Sequence, residues 1–80
     1  MDTVTPEELL WTNVLALGLR DFIIASPRKS EDVEVISWFF SKERTEGSLT
    51  WICDMLNLHE LVIKEGVLRY KKKYKEIFTL

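Results

Sequence analysis

The sequence predicts an all-α domain, a small bundle of about four helices. Apolar residues recur at spacings of three and four along most of the chain, which is the period of an α-helix. Hydrophobic residues make up 46% of the 80 residues and include three tryptophans, so a small core can bury much surface per side chain. Residues 1–80 should form one domain. At this length a core is only marginally sufficient, which leaves oligomerisation open.

A capping signal marks the start of the first helix. Pro6 follows Thr5 at the first helical position, where its missing N–H costs nothing, and Glu8 stands three residues after Thr5. We expect the Thr5 side chain to accept from the Glu8 N–H, and the Glu8 carboxylate to return to the Thr5 N–H. The helix should run to about residue 24, because Pro27 disfavours helical geometry just before it.

Two features of this first segment leave alternatives open. Gly18 is unfavourable inside a helix, so either a neighbouring helix packs closely against it or the helix breaks there. Residues 22–24, Phe-Ile-Ile, could instead form a short strand, although no second convincing strand is present to pair with it.

The second helix should begin at Ser30, a plausible N-cap residue, and end near Ser41. Three consecutive aromatic residues in it cannot all face the core. We therefore expect Trp38 or Phe40 at an edge, or in contact with a partner. The side chains predicted to be buried are Val33, Ile36 (or Val35), Phe39, Phe40 and part of Trp38.

The last two helices are predicted to meet at a tight corner. Ser48 is the N-cap of the third helix, after a charged loop at residues 42–47. Asn57 tolerates the left-handed conformation that a corner needs, and Leu58 should be buried after it. The fourth helix should begin near His59, with Gly66 as its weak point. The inward stripe of the third helix is Leu49, Ile52, Cys53 and Leu56, and the apolar positions 63, 67, 70, 74 and 77 keep a helical period through the fourth.

The spacing of this corner is typical of a helix-turn-helix. A small residue at Cys53, a corner residue at Asn57 and apolar residues at Leu58 and Ile63 meet its requirements in order. Here the chain resembles the helix-turn-helix group of regulators. The segments WTNVL, SWFFS and GSLTWICDMLNL are also loosely similar to short proteins encoded by phages and prophages, a resemblance that implies no biochemical role.

The outward positions of the fourth helix favour a protein over DNA. In the helix-turn-helix group these positions carry polar donors for bases and phosphates. Here they are occupied by His59, Glu60, Leu61, Val62, Lys64 and Glu65. Two are acidic and two are apolar, so base reading is not expected. Residues 60–80 nevertheless contain six bases against three acids. Most of the bases belong to the basic C-terminal segment (69–80), whose run from Arg69 to Lys75 could hold a phosphate backbone.

Catalytic and metal-binding patterns are not found. His59 and Cys53 are the single histidine and cysteine, which cannot make a four-ligand metal site, and Cys53 belongs to an inward stripe. The three glycines form no phosphate loop. We therefore expect no enzyme, no cofactor and no metal. A lone cysteine, no signal-peptide pattern and no membrane-length apolar run favour a cytoplasmic, reducing location.

The sequence thus predicts a non-catalytic regulatory binding module, of phage type, that contacts a protein in a regulatory, transcription-related or host enzyme complex. The alternative is a DNA-binding regulator that uses Lys64 and the basic run. A further alternative is a helical corner that only completes the core. The predicted contact residues are Trp38, Leu61, Val62, Lys64, Arg69, Lys71, Lys72 and Lys73.

Overall fold

The computed structural model describes residues 4–78, and this range is all-α. Its elements are α1 (Pro6–Ile24), a short 3-10 turn (Ser30–Asp32), α2 (Val33–Phe40), α3 (Leu49–Met55) and α4 (Glu60–Phe78), with no strand in the described range. Helix α1 packs against each of the other three helices. The predicted fold class, four helices in a small bundle, is confirmed.

Helix α1 begins and ends where the sequence predicts. The Thr5 side chain accepts from the Glu8 N–H at 3.1 Å. The return bond differs from the prediction, because it is the Thr5 hydroxyl that donates to Glu8 Oε1, at 3.1 Å. Residues 22–24 belong to the last turn of α1, so the strand alternative for this segment is wrong.

Gly18 allows a close approach of α2, and α1 does not break there. A Cβ atom at Gly18 would lie 2.7 Å from Cη2 and 2.9 Å from Cζ3 of Trp38. The indole is held in place because its Nε1 donates to the carbonyl oxygen of Gly47 at 2.9 Å. By contrast, Gly66 lies within an unbroken α4, and no described atom lies within 4 Å of its Cβ position.

Helix α2 starts later than predicted and buries fewer residues. Residues Ser30–Asp32 form the 3-10 turn, and Asp32 precedes α2 without a side-chain cap. The Asp32 carboxylate accepts instead from the Ser26 N–H at 2.9 Å, which fixes the connection after α1. Val33 was predicted to be buried but is 51% exposed, because α2 turns it away from α1. Phe40, also predicted to be buried, is 56% exposed, so its predicted burial is wrong; its place at an edge is one of the two outcomes expected for the aromatic run.

The core is small and aromatic. The rings of Phe22 and Phe39 stack with centroids 3.8 Å apart, and those of Trp11 and Trp51 meet edge to face at 4.8 Å. Large rings give a short chain much buried surface. The buried hydrophobic residues of the described chain are Leu15, Phe22, Ala25, Phe39, Leu49, Ile52 and Cys53.

The corner between α3 and α4 is a Schellman motif. Ser48 caps α3 by accepting from the Trp51 N–H at 3.2 Å. Asn57 has a φ of 58°, as the left-handed corner requires. The N–H of Leu58 donates to the Cys53 carbonyl at 2.8 Å, and that of Asn57 to the Asp54 carbonyl at 3.2 Å. The predicted burial of Leu58 is wrong: its N–H closes the motif while its side chain stays 40% exposed.

Candidate functional site

Five of the eight predicted contact residues lie along the outer side of α4. Leu61 is 67% exposed and Val62 is 64% exposed. Successive helical residues are separated by about 100°. The basic members therefore follow the two apolar ones on the same half of the helix, toward its C-terminal end. The predicted contact residues on this outer surface of α4 are Leu61, Val62, Arg69, Lys72 and Lys73, all exposed. Residues 79 and 80 of the basic segment lie outside the described residues.

Lys71 belongs to the interior and closes the C-terminal end of α1. Its Nζ donates to the carbonyl oxygens of Phe22 at 2.6 Å, Ile23 at 3.1 Å and Ala25 at 2.7 Å. It also lies 4.7 Å from the centroid of the Phe22 ring. The last turn of α1 has no basic residue of its own, so Lys71 from α4 supplies the positive charge that a helix C-terminus favours. Its ammonium group is thus committed to an internal role.

The pKa of Lys71 is lowered. Burial is the main cause, because it penalises the charged form, and the neighbouring charge of Lys75 adds to it. Asp32 acts in the opposite direction. The three carbonyl oxygens around Nζ are the groups that offset the loss of hydration.

Trp38 and Lys64 are also engaged inside the fold. The indole of Trp38 covers Gly18 and donates to Gly47, as described above. Lys64 Nζ lies 3.1 Å from Glu60 Oε1, and the two side chains are only 20% and 27% exposed. Lys64 is therefore not presented to a phosphate. We leave Trp38, Lys64 and Lys71 out of the contact surface.

Glu60 is the centre of a polar cluster at the start of α4. The Thr50 hydroxyl donates to Glu60 Oε1 at 2.8 Å, which ties α3 to α4. Burial by itself would raise the pKa of Glu60, but the hydrogen bonds from Thr50 and Lys64 and the charges of Lys64 and Arg44 outweigh it. The pKa of Glu60 is therefore lowered. This cluster holds the corner in place.

A groove lies between α2 and α4, over the end of α1. Phe22, Ile36, Phe40 and Leu68 supply apolar surface, and Pro27 closes one side. Phe40 is 56% exposed and Leu68 is 41% exposed. Lys71, Lys72 and Lys75 border it, and none of the lining residues that the structure describes is acidic. We call this feature the basic-rimmed groove.

The sequence pattern did not single out this groove. Leu68 falls outside the inward stripe of α4, and Ile36 and Phe40 belong to a different helix, so only the fold brings them together. One signal was available, namely the expectation that Phe40 or Trp38 would lie at an edge. Lys72 is the predicted contact residue that both borders the groove and lies on the outer surface of α4.

The single cysteine lies inside the fold. Cys53 is fully buried, and its pKa is raised by burial and by the charges of Glu60 and Asp54, with Lys64 opposing. A thiol of that kind is a poor nucleophile. Among residues 4–78, no three His, Cys, Asp or Glu side chains are grouped so that they could hold a metal ion.

Comparison of the chain with known protein families, with curated proteins and with solved structures finds no match. Within the described range, every helix is too short or too polar to cross a membrane.

Proposed function

We propose that the chain is a non-catalytic binding module that acts in a regulatory complex by holding an acidic, apolar segment of another protein. The observation that carries the proposal is the basic-rimmed groove, where exposed Phe40 and Leu68 are bordered by lysines. Exposed aromatic and aliphatic side chains can be buried against apolar residues of a partner. The lysines attract acidic residues that flank those apolar residues in the partner. We expect the chain to act in a reducing compartment, because its single cysteine, Cys53, cannot form an intramolecular disulfide.

The size of the surface suits an amphipathic helix. Leu61 precedes Leu68 by seven residues, so the two lie on the same side of α4, roughly 10 Å apart along its axis. An amphipathic helix presents apolar residues at the same interval and can lie lengthwise in such a groove. Lys72 and Lys75 lie beyond Leu68, where acids of the bound segment would meet them.

The charges around α4 favour protein over DNA. At the start of the helix, Lys64 is paired with Glu60 and half-buried. Further along, Glu65 and Glu76 are exposed among the basic residues of the outer half, where they would repel phosphate. Arg, Asn and Gln are the residues that commonly read bases, and α4 contains none of them before Arg69.

A peptide titration tests the proposal. The probe is a fluorescein-labelled helical peptide with leucines at seven-residue intervals and glutamates between them, and its control replaces every glutamate with lysine. We expect the acidic peptide to bind at least about tenfold more tightly than the basic one. Leu68→Glu should weaken binding about tenfold or more, since it places a carboxylate on the groove floor. Leu17→Glu, on α1 outside the groove, should leave the affinity unchanged.

Two further measurements distinguish the alternatives. Leu61→Ser with Val62→Ser should weaken peptide binding and leave the far-ultraviolet circular dichroism unchanged, because both side chains are exposed. Loss of helicity would show instead that they complete the core. Random duplex DNA should not compete with the peptide at moderate salt. Tight DNA binding with a steep dependence on salt, and none to the acidic peptide, would replace this proposal with the DNA-binding one.

A further inference from the structure

The side of α1 that faces away from the core carries an apolar repeat. Pairs of adjacent apolar residues recur every seven positions, as Leu9-Leu10, Ala16-Leu17 and Ile23-Ile24. Leu10, Leu17 and Ile24 are 56%, 51% and 56% exposed. A surface helix of a small domain normally turns polar residues to the solvent, whereas here two apolar columns flank Asn13 and Arg20 on the exposed side of α1. The described fold places no element over this apolar seam.

The apolar surface continues from α1 onto α4. A second groove lies between these helices, and Ala16, Leu19, Ile23 and Ile24 line it on the α1 side, opposite Val67, Tyr70 and Tyr74. Arg20 is the one charged residue among those lining it that the structure describes. Tyr70 is 61% exposed and so extends the surface outward. We call this two-helix surface the α1–α4 face. It is separate from the basic-rimmed groove, which shares no lining residue with it and whose apolar floor comes from Phe22, from α2 and from Leu68.

We propose that the α1–α4 face is covered by a second copy of this chain, with the two α1 helices antiparallel about a two-fold axis near Leu17. A two-fold contact uses the same surface on both copies, which suits a surface with one repeated apolar seam. With the axis at Leu17, the Leu10 of one copy lies opposite the Ile24 of the other, so apolar residues meet along the whole seam.

The charges favour a second copy, and the antiparallel orientation in particular. Arg20 and Asp21 form an ion pair at 3.2 Å, so the middle of the face has no net charge and does not match a strongly acidic or basic partner. The first turn of α1 carries Glu7 and Glu8, while Arg28 and Lys29 follow its C-terminal end. Antiparallel pairing brings these opposite charges together at both ends, and parallel pairing would bring like charges together.

The length of α1 is compatible with a dimer interface of standard size. A standard specific interface buries roughly 800 Å² on each partner, and the accessible surface of the described fold is 6363 Å². Helix α1 has 19 residues, and a helix of that length spans roughly 28 Å. The area of a face of that length and two helices wide is of the same order as the area that a standard interface buries on each partner.

Sedimentation equilibrium on the full chain tests the dimer. The expected mass is twice the 9.4 kDa of one chain across about 1 to 200 μM. Leu17→Glu places two carboxylates at the two-fold axis and should weaken association at least about 100-fold, giving the monomer mass. The matched control is Leu61→Glu, which makes the same change at an exposed leucine outside the face and should leave the dimer intact. A wild-type monomer throughout the range would overturn the proposal, as would a Leu17→Glu dimer.

Cysteine pairs test the orientation. A mixture of Leu10→Cys and Ile24→Cys chains should form a disulfide between the two variants under mild oxidation, and neither variant alone should do so. Self-linking of Leu10→Cys would contradict the antiparallel arrangement. If Leu17→Glu fails to fold by circular dichroism, Leu17→Gln gives the same comparison without a charge. The dimer and the peptide site can fail separately, because Leu68→Glu should weaken peptide binding and leave the chain dimeric.

Discussion

Replacing Lys71 with Met should destabilise the fold by about 2 kcal/mol. The substitution keeps the unbranched stem over the Phe22 ring and removes the ammonium that donates to three carbonyl oxygens at the end of α1. A hydrogen bond to a charged group contributes roughly 1.5–3 kcal/mol, and a cation at a partly buried helix C-terminus contributes up to about 2 kcal/mol. Burial of the ammonium, seen in the lowered pKa of Lys71, offsets part of this gain. These contributions overlap, and after the cost of burying the ammonium is deducted we expect a net loss of about 2 kcal/mol.

Thermal unfolding followed by circular dichroism measures the effect. For a domain of this size, about 2 kcal/mol corresponds to a fall in Tm of roughly 8–16 °C. Lys72→Met is the matched control, since Lys72 is exposed and its replacement should change stability by no more than about 0.5 kcal/mol. Equal Tm values for the two variants would show that Lys71 does not hold the end of α1. Lys71 would then return to the set of residues available to a partner.

Three other substitutions and one labelling reaction should give results of known sign. Gly18→Ala should lower stability by about 1 kcal/mol or more, because its Cβ would lie 2.7 Å from the Trp38 ring. Gly66→Ala should raise stability by about 0.5–1 kcal/mol in the same thermal unfolding measurement, since its Cβ position is open. Cys53 should react with a maleimide only after unfolding, and rapid labelling of the native chain would contradict its burial. Because the pKa of Glu60 is lowered in the fold, its carboxylate contributes stability above the ordinary pKa of 4.5, and this stability is lost as the pH falls from there through the folded pKa. Glu60→Gln should therefore make the stability less dependent on pH below 4.5.

Local signals in the sequence predicted the helices well. The caps at Thr5 and Ser48 and the left-handed corner at Asn57 depend on neighbouring residues only, so the pattern contains what is needed to recognise them. The start of α2 was harder to predict from the sequence. Asp32, expected inside that helix, bonds to the Ser26 N–H, and a 3-10 turn takes the place of its first turn.

The contact surface was predicted less completely, because it depends on how helices meet. The period of α4 places Lys71 in the same stripe as Ile63 and Val67, but a lysine in a basic run is ordinarily assigned to solvent. The carbonyl oxygens that hold it come from α1, more than 40 residues away in the sequence. Similarly, the spacing identified Leu61 and Val62 as outward residues, whereas bringing Leu68 and Phe40 to one groove required both α2 and α4 to pack on α1.

The position of α1 explains how one small domain can offer two unlike surfaces. Its buried stripe ends at Phe22, which forms part of the basic-rimmed groove, while Ile23 and Ile24 on the next positions belong to the α1–α4 face. Lys71 holds the carbonyls of this same turn, so it fixes the end of α1 between the two surfaces. The groove has lysines around an aromatic floor and suits an acidic segment, whereas the face has a neutral ion pair and a seven-residue repeat and suits its own copy. Because the two surfaces share no lining residue, a dimer formed through the face leaves both grooves open, and one assembly can hold two acidic segments.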